Sequence, residues 1–227
     1  ALNYYTNEMV TIPLQDDLTA HENSVKYFER YNKLKRTYEA LSKLTLETKE
    51  EIDHLESISN SLDIAVSYDD LVQLKEEMIE YGYIHRKGAK SKAGSNRKEK
   101  ITSKPFHYIS SDGFHMYVGK NNYQNEELTF KLATGNDWWF HAKNIPGSHV
   151  IVKADNKELP DNTFEEAARL AAHYSKASGQ EKVDVDYIQK KHIKKPAAAK
   201  PGFVIYHTNY SMTIDNDPHK LGTLIEE

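Results

Sequence analysis

Apolar side chains first recur at the period of a helix. From Phe28 the seam passes through Tyr31, Leu34, Tyr38, Leu41, Leu44, Thr48, Ile52, Leu55, Ile58 and Leu62, nearly always three or four residues apart, as in a coiled coil. No Gly or Pro interrupts residues 19–62, and Thr19 stands three residues before Glu22, the spacing of a capping box. This predicts one long helix that needs a partner to cover its seam. Upstream, the alternation of Val10, Ile12 and Leu14 before Asp16 and Asp17 predicts a short strand ending in a turn. Downstream, Ser67 with Asp70 opens a second helix that ends at Gly82 and carries Leu71, Leu74, Met78 and Ile79 on one side. That helix is too short to cover the first.

After Pro105 the period changes. Short β-rich runs at residues 106–109, 114–118, 138–142, 149–153, 183–187, 203–207 and 212–214 read as strands. Two helices punctuate them. One lies at residues 124–133, and the other runs from Thr163, boxed with Glu166, to Gly179. Ala167, Ala168, Ala171, Ala172 and Ser175 form a strip of small residues that lets this last helix lie close to a sheet. The mixed order predicts an α+β fold in two parts: an N-terminal helical coiled-coil arm over residues 1–84, and a compact mixed α+β domain over 105–227. Between them, residues 85–104 hold Gly, Ser and Lys with no apolar period and read as a basic flexible linker.

Charge sharpens this division. Residues 1–84 carry 8 Lys+Arg against 17 Asp+Glu, residues 85–104 carry 8 against 1, and residues 105–227 carry 14 against 16, so a formal net charge of −4 conceals segments of −9, +7 and −2. The acidic segment is poorly suited to a phosphate backbone and the basic stretch is well suited to it. No apolar run approaches the length that crosses a bilayer, so membrane insertion is not expected. The opening residues lack a secretory signal and an initiator Met, and the chain reads as a piece of something longer. Zero Cys excludes disulfides, thiolate metal sites and cysteine nucleophiles, and fits a reducing compartment.

Three motifs could carry chemistry. GKNNYQNEEL places Asn121, Asn122, Gln124 and Asn125 beside Lys120; amides donate and accept, which suits base edges and ribose hydroxyls, and also suits a capped turn. In DWWFHAKNIPGSHV, strand alternation sends Trp138, Phe140 and Ala142 one way and Asp137, Trp139 and His141 the other. With one face in the core, Trp139 and His141 would be offered to solvent, a surface on which bases stack. A buried aromatic pair with a satisfied histidine is the competing reading. Ser148 and His149 point to opposite faces and cannot share a proton directly, and the G-x-S-x-G context of a nucleophile is missing; they join the candidate polar contacts instead. Finally, Lys190, Lys191, His192, Lys194, Lys195 and Lys200 precede a Pro-Gly turn and make a one-sided basic edge suited to phosphate. The eleven His residues show no zinc-motif spacing, and neither a phosphate-binding Walker sequence nor a dinucleotide glycine fingerprint occurs. No metal, cofactor or catalytic residue is expected.

The strings DGFHMYVGKNNYQNEELTFKLA, DWWFHAKNIPGSHVI and KKHIKKPAAAKPGFVIY resemble the NFACT-R domain, over about residues 105–217. MVTIPL, NSVKYFERYNKLKRTYEAL and EYGYI resemble part of the coiled-coil middle region of the same family, that of the RqcH and NEMF proteins, whose members in Gram-positive cocci are also called fibronectin-binding protein A-like. This resemblance implies a cytoplasmic, non-enzymatic factor of ribosome-associated quality control. It would bind obstructed large ribosomal subunits and tRNA and recruit alanyl-tRNA for Ala tailing. Its coiled coil would meet rRNA and the stalk-base protein. The alternative it implies is a streptococcal surface adhesin that binds host fibronectin after non-classical export.

Overall fold

The computed structural model describes residues 1–85, 103–197 and 199–225. The basic linker read over 85–104 therefore lies, except for its ends, outside the described residues. Two compact units divide at Ile52 and Asp53.

In the first unit a two-residue hairpin pairs β1 (Leu2–Asn3) with β2 (Glu8–Met9). No strand forms over residues 10–14: Val10 still exchanges backbone bonds with Ala1 at 2.7 and 2.8 Å beside the hairpin, but the alternation continues into no ladder and Pro13 removes a donor. Helix α1 (Ala20–Ile64) starts at the predicted box. Thr19 N and Oγ1 each donate to Glu22 Oε2 at 2.7 Å, and Glu22 N donates to Thr19 Oγ1 at 3.3 Å. The seam residues Phe28, Tyr31, Leu34, Tyr38, Leu41, Leu44 and Ile52 remain exposed.

The second unit holds the last turns of α1, helix α2 (Tyr68–Glu80) and a seven-stranded sheet with its helices, an α+β fold. The Ser67–Asp70 box closes α2: Ser67 Oγ accepts from Asp70 N at 3.2 Å and Asp70 Oδ2 accepts from Ser67 N at 3.0 Å. Val72 and Leu74 are buried while Leu71 stays exposed. The strands are β3 (Phe106–Ile109), β4 (His115–Val118), β5 (Trp138–Ala142), β6 (Val150–Val152), β7 (Lys182–Gln189), β8 (Tyr210–Asp215) and β9 (Thr223–Leu224). They lie in the order β8-β7-β5-β6-β4-β3-β9, and every pairing is antiparallel.

Between β4 and β5, helix α3 (Asn122–Glu127) runs into a π-turn over Leu128–Leu132, covering the helix read at 124–133. Helix α4 (Asp161–His173) lies on one face of the sheet. Ala167, Ala168, Ala171 and Ala172 are fully buried there against Met116, Val118, Phe140 and Val150. The capping box expected at Thr163 and Glu166 does not form. Pro160 sits at the N-cap, Thr163 Oγ1 donates to Asp112 at 2.9 Å, and Glu166 Oε2 accepts from Ser111 N at 2.9 Å, so both side chains tie the helix to the β3–β4 turn. The strand read over 203–207 is reduced to an isolated bridge between Lys194 and Ile205. Among the described residues no helix is long and apolar enough to cross a membrane.

Candidate nucleic-acid interface

The amide run does its work inside the second unit. Asn121 caps α3 by accepting from Gln124 N at 3.0 Å, and Gln124 Oε1 accepts from Lys120 N at 3.0 Å. Gly119 is required here, since a Cβ would come within 2.9 Å of Asn125 N. The remaining polar atoms reach α1 and α2. Lys120 Nζ meets both oxygens of Asp70 at 3.1 and 3.3 Å and lies 4.8 Å over the Phe106 ring. Gln73 Oε1 accepts from Asn121 Nδ2 at 2.7 Å and from Gln124 Nε2 at 3.1 Å. Asn122 Nδ2 donates to Glu77 Oε1 and to Ser57 Oγ, both at 2.8 Å, and the same carboxylate oxygen meets His54 Nε2 at 3.0 Å. Asn125 turns the other way, accepting from His149 N at 2.9 Å. Burial pushes the Asp70 carboxyl upward, but donors from Ser103, Val66, Lys120 and Ser67 outweigh it and hold the group below its ordinary value. Lys120, Asn121, Asn122, Gln124 and Asn125 are all buried, so the expectation that they face a nucleic acid is corrected. Their amides satisfy each other and two helices far away in sequence.

The second correction concerns the tryptophans. Trp138, Phe140 and Ala142 do share one face and Trp139 and His141 the other, but both faces are covered. Trp139 is 1% exposed, packed with Leu128, Ile151, Ile188 and Ile193 beneath Val204 and Tyr206, which belong to the segment that replaces the expected strand. Its ring lies 5.5 Å from His141 and 5.1 Å from His149. His149 Nδ1 pairs with Thr129 Oγ1 at 2.7 Å. Burial lowers His141 to about 4, and burial together with the neighbouring His141 lowers His149 well below the usual imidazole value. Ser148 is buried too. Trp139, Ser148 and His149 are therefore core residues, and His141 is partly covered among them.

The basic segment stays at the surface. Lys190, Lys191 and His192 form a 3-10 turn held by Lys190 N on Asp137 O at 2.9 Å and Lys191 N on Gly135 O at 3.1 Å. Lys191, His192, Lys194 and Lys195 are exposed. Lys195 pairs with Glu126 at 2.7 Å, whereas Lys191 and Lys194 make no ion pair among the described residues. Lys200 is drawn inward, donating to Tyr83 Oη at 3.0 Å over the rings of Tyr81 and Tyr83. Of the fifteen sequence candidates, Lys191, His192, Lys194 and Lys195 are the ones left exposed as a group, while Lys190 is half-buried over the Phe130 ring.

The structure adds residues that periodicity passed over. Trp138 is half-buried and borders three surface hollows, one of them about 420 Å³ and lined by Trp138, Ile188, Gln189, His192, Thr208, Asn209 and Tyr210. The aromatic content of residues 138 and 210 was visible, but the cover over Trp139 comes from a segment more than fifty residues on.

The second unit is thus an antiparallel α+β unit that exposes a short basic turn. Two family models match the chain: "NFACT N-terminal and middle domains" over residues 1–98 and "NFACT protein RNA binding domain" over residues 104–208. The chain belongs to the NFACT family and carries its RNA-binding domain. Over 225 residues it is 40% identical to the Rqc2 homolog RqcH of Streptococcus pneumoniae serotype 2, covering 98% of this chain and 39% of that protein. It is 36% identical over 218 residues to the Rqc2 homolog RqcH of Bacillus subtilis, covering 95% and 37%. A solved structure, the C-terminal part of the fibronectin/fibrinogen-binding protein from Streptococcus suis, superposes with a TM-score of 0.76 at 39% identity, covering 91% of this chain and 80% of that one. The chain thus spans about two fifths of the length of these curated relatives.

Proposed function

We propose that this chain is the C-terminal part of a cytoplasmic ribosome-associated quality control factor. The whole protein binds obstructed large ribosomal subunits and tRNA and recruits alanyl-tRNA, so that Ala is added to stalled nascent chains. Peptide-bond formation is left to the ribosome, and this chain acts by binding and positioning, with no catalytic residue of its own. The exposed seam of the first unit and the acidic balance of residues 1–84 suit a basic protein near rRNA, the stalk base. The observation that carries the reading is the exposed basic segment at residues 190–195 within an RNA-binding domain of a chain so similar to RqcH proteins.

A titration of the chain against tRNA, large subunits and fibronectin at two salt concentrations tests it. RNA affinity should fall with salt at a logarithmic slope of about −0.7 to −0.9 per phosphate neutralised. It should fall again in a Lys191→Glu, Lys194→Glu, Lys195→Glu variant. The name of the Streptococcus suis protein carries the alternative, a surface adhesin. Binding to fibronectin without binding to either RNA ligand would overturn the quality-control reading in its favour.

A further inference from the structure

We propose that Trp138 and Tyr210 form a stacking pocket for one unpaired base of single-stranded RNA, with the adjoining phosphate lying against the basic turn Lys190–His192. This rests on the RNA-binding reading and gives it a location. Register builds the site: Trp138 pairs with Gln189 where β5 begins and β7 ends, and Tyr187 pairs with Tyr210 where β8 begins. The two rings lie 6.4 Å apart at 44°. Each is held from behind, Trp138 edge-on against Phe164 at 4.8 Å and Tyr210 stacked on Tyr187 at 5.4 Å, so neither needs to be ordered when a base arrives. Tyr210 is 61% exposed. The hollow beside them, about 420 Å³, falls within the ~300–1,000 Å³ range of small-ligand sites. Gln189, Thr208 and Asn209 at its rim supply donors and acceptors for a base edge.

Charge decides which of the three hollows at Trp138 would take a polyanion. One, which Tyr210 also borders, is walled by Asp161 and Glu165, and another by Glu158 and Asp161. The hollow at Tyr210, Asn209 and His192 has no carboxylate in its wall, and Lys190 and Lys191 precede His192 in the same turn. A base already paired within a duplex has no free face to insert, so the pocket selects single strands.

The test is a titration of the full chain with short unstructured oligo(U) and with a duplex of equal length, read by anisotropy and by tryptophan emission. Trp139 is buried, so a Trp138→Phe variant reports which indole responds. The expected result is quenching of Trp138, weaker duplex binding, and a loss of roughly 5- to 150-fold in Tyr210→Ala, the range for one base–aromatic stack. The salt slope should not change, and Tyr210→Phe should bind as the parent does. Because Tyr210 is exposed, its truncation leaves the core intact, and circular dichroism checks this. If oligo(U) binds with a steep salt dependence but Tyr210→Ala and Trp138 emission are unaffected, the stacking pocket is overturned and the RNA-binding reading stands. If neither oligo(U) nor the duplex binds while tRNA does, the stacking pocket is overturned and the RNA-binding reading stands; if tRNA and large subunits fail as well, both fall.

Discussion

At the scale of single residues, Lys120 and Asp70 form a buried ion pair between α2 and the start of α3. Lys120 beside four amides looks like a polyanion contact until Asp70 is found fifty residues away in a box that already needed its carboxylate. The ion pair is buried on both sides, so removing one member strands the other charge. Lys120→Ala should cost ~3–5 kcal/mol in urea unfolding. In the fraction that remains folded, the salt slope of RNA binding should match the parent, whereas a phosphate-contacting lysine would lower that slope by about one. His141 and His149 make a second prediction, through pH. Burial depresses both folded-state values, His141 to about 4, so the folded chain binds fewer protons than the unfolded one as pH falls below 6.5. The stability they contribute is fully present above pH 6.5 and declines from there to about pH 4. For His141 alone the loss approaches ~3 kcal/mol. Urea midpoints measured from pH 7 down to pH 4.5 should show the decline, and a His141→Phe variant should flatten it.

Elements were more legible than residues, because caps and periods are local. The boxes at Thr19 and Ser67 form as spaced, and β3 and β5 fall where their runs of β-branched and aromatic residues placed them. Thr163 and Glu166 had the same spacing and failed, because a tertiary partner in the β3–β4 turn competes for both side chains. The alanine strip of α4 carried a true packing signal, and its small residues set how near the helix lies to the sheet. Ala168→Leu, which adds volume against fully buried neighbours, should therefore cost ~1–3 kcal/mol or more. Thermal or urea unfolding checks this, and the exposed Lys131→Ala on the π-turn serves as the neutral control. The cover over Trp139 was not legible: the run at 203–207 was readable as a strand, but only the packing of Ile193, Val204 and Tyr206 with Ile151 and Ile188 shows that Trp139 is covered.

For the whole molecule, charge and texture predict a helical first part and a mixed second part, and the structure is a long N-terminal helix followed by a seven-stranded sheet with helices. The compact division at Ile52 and Asp53 follows buried polar bonds, not composition. Gln73 with Asn121, Glu77 with Asn122, Asp70 with Lys120 and Glu80 with Tyr123 join residues of α2 to the start of α3. Val72, Leu74 and Ile58 are buried alongside them. A peptide bond severed anywhere between His85 and Ser103 would thus leave two polypeptides gripping one another without a covalent join. Nicked protein should travel as a single species on a sizing column and come apart only in denaturant; early separation of the pieces in buffer would contradict this. The two parts could equally be produced as separate chains and reassembled by mixing.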